Sequence, residues 1–293
     1  MYKDVFIESN GEERIQYEDN NWKHIVLKTK MHEMTMGYIP LHWHRALQFV
    51  YVIKGQLKII IGSKEQVLDK GDGIFINSDI VHEIQEVEQF SEFYCWNIGI
   101  PEMTNYMEFK YINHIIQQVQ DIPYIHLSQW NAYHNRLLTI IEAVCKTYDN
   151  KEKYFELDIM MHFYHTLKYI LYIMEHQPND FTYKFDSRIK QVILHMQQHF
   201  SEKVTLKHLS EMIYLSEAET IKLFKKNVKQ TPFEYLTQYR LEQSLYMLNN
   251  NDHCTITEIG MTCGFSTTSY FIKVFKEAYQ MTPKQYHKLR HDY

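Results

Sequence analysis

Four polar side chains in the first third of the chain have the residue types and spacing of a ligand site. His42 and His44 flank Trp43, Gln48 follows four residues later, and His82 comes after a separate apolar segment. Residues of the same parity share one face of a β-strand, so His42, His44 and Gln48 are expected to point to one side. Imidazole suits zinc, iron, nickel and copper. The spacing would therefore allow a divalent transition-metal site at His42, His44, Gln48 and His82, although the expectation is that no cofactor is bound.

The same histidines also fit a pocket that holds no metal. Histidines in a polar cavity can hydrogen-bond to one another, to Gln48 or to a polar effector. Aromatic residues make up 15% of the chain, and several lie near these histidines in the sequence. The predicted effector pocket is formed by Tyr38, His42, Trp43, His44, Gln48, Tyr51, His82 and Trp96. The residues alone leave the metal site and the metal-free pocket open.

The segment that carries these residues has the pattern of short β-strands. Leu57, Ile59 and Ile61 alternate with their neighbours, and a Lys-Gly-Asp-Gly turn at 70–73 precedes another apolar run. Short strands separated by glycine turns are typical of a small barrel or sandwich. The pattern predicts a β-barrel domain over residues 23–103, preceded by an acidic arm at 1–22. That arm is expected to be either a lid on the barrel or a disordered terminus.

Residues 104–177 have a helical pattern instead. Apolar residues recur at three- and four-residue steps, and two long amphipathic helices are expected between Ser128 and Gln177. Their apolar stripes are longer than one barrel face requires, which favours dimerisation through them; packing on the barrel alone is the alternative. Pro178 and Asn179 break the pattern and predict a linker over residues 178–186.

The last third of the chain contains one pattern twice, about fifty residues apart. Each copy has a short helix, a tight turn and a second helix, and both end in a Thr-Pro segment, at Thr231 and Thr282. Gly264 lies in the second turn, where a residue without a Cβ is favoured. The expected N-caps are Thr205, Ser216, Thr255 and Ser266. The pattern predicts two helix-turn-helix units joined by a helix of about 17 residues.

The segment TITEIGMTCGFSTTSYFIKVFKEAYQMTPKQYHKLR resembles the signature of AraC/XylS-family transcription regulators, and the resemblance extends from about Ile189 to Arg290. Ser210 and Gly260 replace the alanine usual in the first helices. Lys229 and Gln280 replace the glycine usual before the Thr-Pro segments, where a left-handed backbone strains other residues. The resemblance implies a sequence-specific DNA-binding regulator, and favours activation over repression.

The same resemblance implies which side chains meet DNA. The second helices are expected at about 217–226 and 267–276, with Leu223, Phe224, Phe271 and Phe275 buried. The expected base-facing residues are Ala218, Ile221, Lys222, Thr268, Ser269, Ile272 and Lys273. The expected phosphate contacts are Lys225, Lys226 and Lys276. The alternative for any single lysine is a solvated helix face.

The N-terminal spacing in turn resembles the two cupin motifs, which supply two histidines and a glutamate from one strand and a third histidine from another. Gln48 stands where the glutamate is usual, and Asn77 and Asp79 stand where proline and glycine are usual. The resemblance implies a cupin-like sensor barrel whose three imidazoles and one amide can hold a metal.

The distribution of charge separates the two ends of the chain. Residues 187–293 contain 14 basic and 10 acidic side chains, a net charge of +4, whereas the remainder has a net charge of −9. Only the C-terminal part is therefore expected to meet a polyanion. The polar start and the lack of a long apolar run predict a cytoplasmic protein without a membrane segment. The four cysteines have no zinc spacing and are expected to stay reduced.

These observations predict an α+β chain: a cupin-like β-barrel, a helical dimerisation segment, and an all-α domain of two helix-turn-helix units over 187–293. The expected function is a homodimeric regulator of transcription that binds double-stranded DNA and senses an unidentified small molecule, with RNA polymerase as a further partner and no catalytic activity. Two alternatives remain: a metal-dependent cupin enzyme fused to a DNA-binding domain, and a ligand-independent regulator. Gln48 and the lack of a second acid–base set count against the enzyme.

Overall fold

The computed structural model describes nine segments of the chain, to which every structural statement below refers: 12–13, 15–19, 21–34, 38–62, 64–100, 106–119, 121–176, 186–250 and 254–291. The chain divides into two compact units, of which the first contains Glu12–Phe185 and the second Asp186–Tyr293. Most of the predicted arm lies outside the described residues. So does the predicted linker, apart from Asp186.

The first unit contains two antiparallel sheets. The described strands are β1 His24–Lys30, β2 Tyr38–His42, β3 Leu47–Lys54, β4 Gln56–Ile61, β5 Lys64–Asp69, β6 Gly73–Ile76, β7 His82–Glu86, β8 Glu92–Ile98 and β9 Tyr124–Leu127. A five-stranded sheet has the order β1-β8-β3-β6-β9, and a four-stranded sheet has the order β2-β7-β4-β5. The inner faces of both sheets share one apolar core, which includes Val50, Ile59 and Ile84.

Three helices cover the outer face of the five-stranded sheet: α1 Tyr106–Gln117, α2 Ala132–Asn150 and α3 Phe155–His176. Their apolar faces form a second core with Phe49 and Trp96. The two long helices predicted after Ser128 therefore exist, and they pack on the sheet. The prediction of a purely helical segment over 104–177 is wrong in one respect, because β9 extends the sheet by pairing with β6. A four-residue strand between helices gives too short a pattern to recognise.

The second unit is helical. The described helices are α4 Ser187–Gln198, α5 Leu206–Met212, α6 Glu217–Val228, α7 Pro232–Asn250, α8 Ile256–Thr262, α9 Thr268–Tyr279 and α10 Pro283–His291. The pairs α5–α6 and α8–α9 are the two predicted helix-turn-helix units. The long helix α7 joins them: the ring of Tyr235 contacts that of Phe224 in the first helix-turn-helix unit, and Leu245 packs with Phe271 and Phe275 of the second. The predicted α+β architecture is thus confirmed.

The two helix-turn-helix turns differ by one residue, which corrects one predicted cap. Ser216 caps α6 by accepting a hydrogen bond from the Glu219 N–H, in a reciprocal capping box. The corresponding cap of α9 is Thr267 rather than Ser266. The Leu215 amide bonds to the Ser210 carbonyl and the Phe265 amide to the Gly260 carbonyl, but the cap follows one residue later in the second unit. The extra residue displaces the helix start.

Several residues hold backbone conformations that usually favour glycine. Lys229 and Gln280 end α6 and α9 with φ of 64° and 55°, the left-handed geometry expected from their positions. Asp79 has φ of 62° at the position where cupin motifs have glycine. Aspartate tolerates this geometry better than most residues because its short side chain bonds locally. Among the described helices, none has both the length and the apolar character needed to cross a membrane.

Candidate metal centre and nucleic-acid interface

Strand pairing brings His42 and His82 together inside the barrel. His42 ends β2, His82 begins β7, and the two residues are register partners. The pairing of β2 is irregular between Ile39 and His42. Because this changes the alternation, Ile39 and His42 both face inward although their positions differ by three. The ring centroids lie 4.2 Å apart, and that of His44 lies 5.2 Å from His82. The structure therefore brings three of the four predicted ligands to one point.

Backbone carbonyl groups fix the tautomer of each ring. The Nδ1 atoms of His42, His44 and His82 lie 2.8, 2.9 and 2.9 Å from the carbonyl oxygens of Pro40, Ala46 and Ile80. A carbonyl only accepts, so each Nδ1 must donate, and each Nε2 keeps a free lone pair. Histidines that bind metals are commonly oriented by such a hydrogen bond from the other ring nitrogen.

The remaining Nε2 atoms lack donors. One ring nitrogen of each histidine lies within 4.8 Å of the others, and all three residues are buried. The Nε2 atoms of His44 and His82 have no hydrogen-bond partner in the described part of the chain. Burial lowers the pKa of His42 to about 3 and that of His44 to about 4, so both rings are neutral at physiological pH. Three converging lone pairs suit a divalent transition metal, which would relieve these unsatisfied acceptors.

Glu13 lies beside the histidines, and no sequence motif predicts this position. Its Oε2 is 3.6 Å from Nε2 of His42, and both side chains are almost fully buried. The Glu13 amide donates to the carbonyl oxygen of Trp43 at 2.8 Å, and this contact holds the segment against the barrel. Burial raises the pKa of Glu13 to about 7. Within an acidic arm, nothing distinguishes this carboxylate from its neighbours.

Gln48 lies next to this cluster but is oriented by another partner. Its Nε2 donates to Oδ1 of Asn97 at 3.0 Å, across the β3–β8 pair. Its Oε1 is buried without a donor in the described residues. The Gln48 amide also lies close enough to His44 to oppose, weakly, the lowering of that residue's pKa by burial. Gln48 thus borders the three histidines.

The aromatic half of the predicted pocket is wrong, because strand alternation separates its members. Gln48 faces the interior between the sheets, whereas Tyr51 and Trp96 face the helices on the other side of the same sheet. The Trp96 ring packs against Phe49 at 5.6 Å. Tyr38 precedes the inward-facing Ile39 and so alternates away from the interior. Trp43 is buried and presents its carbonyl oxygen to Glu13. The candidate site therefore contains imidazoles and a carboxylate rather than aromatic rings.

The second unit presents two equivalent helix faces to solvent. Phe224 on α6, with Phe271 and Phe275 on α9, is completely buried, as predicted, whereas Leu223 is only half-buried. The predicted base-facing residues are exposed at Ala218, Lys222, Ser269 and Lys273 and half-buried at Ile221, Thr268 and Ile272. Aligning Phe224 with Phe275 places Ala218, Ile221 and Lys222 opposite Ser269, Ile272 and Lys273. The faces are thus matched residue by residue.

Further cations surround these faces. Lys225, Lys226 and Lys276, the predicted phosphate contacts, are exposed. Nζ of Lys273 lies 3.9 Å from Glu277, and both side chains are mostly exposed, so the pair contributes little stability and leaves the lysine available. Two exposed aromatic side chains near these faces were not among the predicted DNA contacts. Tyr270 lies on α9 and Tyr214 lies in the first turn, where it is 95% exposed.

Comparison with known proteins agrees with this division. A helix-turn-helix domain model matches residues 209–289, and a cupin domain model matches residues 31–89. The chain is 29% identical to the uncharacterized HTH-type transcriptional regulator YdeC of Bacillus subtilis, over 98% of this chain and 99% of that relative. It is 24% identical to the HTH-type transcriptional activator RhaS of Mannheimia succiniciproducens, over 84% of this chain and 88% of the relative.

Among solved structures, ToxT from Vibrio cholerae O395 is similar with a TM-score of 0.46 and 11% identity, over 90% of this chain and 97% of that one. The match to YdeC runs through both units. The two domain models fall on the two units that the structure separates. The chain is an HTH-type transcriptional regulator with an N-terminal cupin domain and a C-terminal helix-turn-helix domain of the AraC type.

Proposed function

We propose that the cupin domain is a sensor of divalent transition-metal ions and that metal binding sets the DNA affinity of the helix-turn-helix domain. The observation that supports this proposal is the convergence of three buried imidazoles whose Nδ1 atoms are committed to carbonyl groups. His42, His44 and His82 would hold the ion. The ion would supply positive charge to the lone pairs of these three rings, including the unsatisfied Nε2 atoms of His44 and His82.

Burial favours sensing over catalysis. His42, His44 and His82 are 2%, 1% and 0% exposed, so a substrate has no open path to them in this conformation. A sensor needs access only for the ion itself. The enzyme alternative would require an opening of the barrel wide enough for an organic substrate. We therefore propose that this regulator is not an enzyme.

Adding zinc or nickel to the wild-type protein is expected to raise its thermal stability. A ligand at 100 times its Kd stabilises the folded state by about 2.7 kcal/mol. His82→Ala should lose most of this stabilisation, because it removes one of three ligands, and His114→Ala on the exposed face of α1 should keep it. Calorimetry with each metal measures the effect.

The same proteins test coupling to DNA. Metal should change the affinity of the wild type for a duplex selected from a random pool by about 5- to 150-fold, with no change for His82→Ala. Metal binding without any effect on DNA affinity would contradict the sensor and favour a ligand-independent regulator. The absence of metal binding would contradict the site itself.

For the DNA domain, we infer that α6 and α9 are the recognition helices. The matched faces that contain Lys222 and Lys273 would contact bases, and Lys225, Lys226 and Lys276 would contact phosphates. The positive balance of this unit supports the assignment. We further propose that the protein acts in the cytoplasm and contacts RNA polymerase, and that it is an activator, as its relative RhaS is.

We also propose that the regulator is a homodimer formed through α3. Leu157, Met161, Tyr164 and Tyr172 recur every three to eight residues along one side of this helix, and they are 66%, 60%, 41% and 37% exposed. An apolar stripe of this kind marks an interaction surface, and a second copy of the helix would cover it with matching side chains.

Met161→Glu is expected to convert the dimer into a monomer, because each interface would bury two carboxylates without partners. Sedimentation equilibrium measures the mass. Lys146→Glu, which places a carboxylate on the exposed face of α2, is the control and should remain dimeric. A Met161→Glu protein with the mass of two chains would contradict this interface.

A further inference from the structure

We propose that Glu13 is the fourth ligand of the ion held by His42, His44 and His82, so that metal binding fixes the segment before β1 onto the barrel. This inference rests on the proposed metal site and names the part of the chain that the metal would control. Glu13 belongs to none of the described strands, so this ligand would come from outside both sheets.

The position of Glu13 supports the proposal. Its Oε2 lies 3.6 Å from Nε2 of His42, the nitrogen that would face the metal. That separation is too long for a hydrogen bond, and it suits two ligand atoms on one ion. The Glu13 side chain is 5% exposed, and its carboxylate acts electrostatically on the buried thiol of Cys95, at an inward-facing position of β8. The carboxylate therefore enters the barrel rather than covering its rim.

A cation would balance the charge at this point. A carboxylate buried beside neutral imidazoles is costly, and Oε2 of Glu13 faces Nε2 of the neutral His42 at 3.6 Å. Three imidazoles provide no negative charge to balance a divalent ion. One carboxylate reduces the net charge of the complete site to +1, and a three-nitrogen, one-oxygen set suits zinc, cobalt and nickel.

The backbone gives the ligand a structural consequence. The Glu13 amide bonds to the carbonyl of Trp43, and Glu12 bridges to Trp43 in parallel register, so the segment adds to the chain directly between two of the ligands. In the same segment Glu18 bonds to Tyr148 and Lys151 on the outer helix layer. A metal bond at Glu13 would strengthen the attachment of the segment at Trp43 and leave the contacts of Glu18 unchanged.

The test compares Glu13→Gln with wild type, and uses Glu18→Gln as the matched control in the same segment. Cobalt(II) is the probe, because its visible absorption reports the ligand set, and a competing chromophoric chelator gives the affinity. We expect Glu13→Gln to weaken cobalt binding at least about 10-fold, which is the smallest effect usual for losing even an outer-sphere partner. Its cobalt spectrum should also change, whereas Glu18→Gln should match the wild type.

Stability separates a lost ligand from a misfolded barrel. Glutamine has nearly the shape of glutamate without its charge, so the metal-free Glu13→Gln protein should melt at or above the temperature of metal-free wild type. Hydrogen exchange at residues 12–19 should slow on adding cobalt to the wild type and not to Glu13→Gln. Wild-type affinity and spectrum in Glu13→Gln would overturn the role of Glu13 while leaving the three-histidine site intact. Failure of the wild type to bind cobalt would overturn both proposals.

Discussion

Replacing Gly264 with alanine is expected to lower the melting temperature of the DNA-binding unit by about 10 °C or more, and to reduce specific DNA binding at least about 100-fold. Gly264 has φ of 83°, a conformation that costs other residues about 1–2 kcal/mol. An added Cβ would also lie 2.5 Å from the carbonyl oxygen of Phe200 and 2.9 Å from Cα of Ser201, both backbone atoms that cannot rotate away. Such overpacking costs a further 1–3 kcal/mol, roughly.

The location of this clash explains why DNA binding should fall with stability. Gly264 belongs to the turn between α8 and α9, whereas Phe200 follows α4 beside the first helix-turn-helix unit. Arg240 of α7 donates from Nε to the same Phe200 carbonyl at 2.6 Å and from Nη2 to the Glu202 carbonyl at 2.8 Å. The glycine therefore allows the two helix-turn-helix units of the C-terminal part to contact each other. A side chain at this position would change the angle between the recognition helices.

The first helix-turn-helix unit provides a matched control for this prediction. Tyr214 occupies the position equivalent to Gly264, with φ of 55° and a side chain that is 95% exposed. Tyr214→Gly should therefore raise the stability slightly, by up to about 1 kcal/mol, because it relieves a left-handed strain without losing packing. Chemical denaturation of both variants measures the difference. Equal stability of Gly264→Ala and wild type would show that the two turns are not rigidly packed.

The helical third of the chain could be predicted in detail because its determinants are local. N-caps, apolar periodicity and the Thr-Pro segments predict the first residue of each recognition helix within one residue, and Phe224, Phe271 and Phe275 identify the buried faces. The one wrong cap, Ser266, arose from a turn that is a single residue longer than its counterpart. N-cap propensity slightly favours serine over threonine, so the local sequence could not identify Thr267 as the cap.

The barrel was less predictable because its site depends on contacts between distant residues. The motif spacing identified His42, His44 and His82 correctly as neighbours. Alternation from Gln48 along β3 already places Tyr51 on the other face of the sheet, whereas Trp96 lies on β8 and its face depends on the register between β3 and β8. Glu13 lies 29 residues before His42 in the sequence and belongs to none of the described strands. Only the folded chain relates the two residues.

Removing both Lys222 and Lys273 is expected to reduce affinity for the specific duplex by about two to four orders of magnitude. Each lysine occupies the same position of its recognition helix, and one good contact with a base contributes about 1–3 kcal/mol of discrimination. The two residues lie on separate helices with separate cores, so their losses should add. Each single alanine variant should then lose about 5- to 150-fold, which gel-shift or fluorescence-anisotropy titration measures.

Two further substitutions distinguish base contact from general attraction to DNA. Lys276→Ala removes an exposed cation from the same helix as Lys273, and it should weaken binding to specific and unrelated duplexes alike and lower the salt slope by about 1. Lys207→Ala on α5 removes an equally exposed lysine that is paired with Glu211 and should change neither affinity. If Lys273→Ala resembled Lys276→Ala, the α9 lysine would contact phosphate, and specificity would have to come from Ser269, Ile272 and their counterparts on α6. The ratio of specific to non-specific loss, rather than the loss itself, therefore decides which side chains determine the sequence that this regulator recognises.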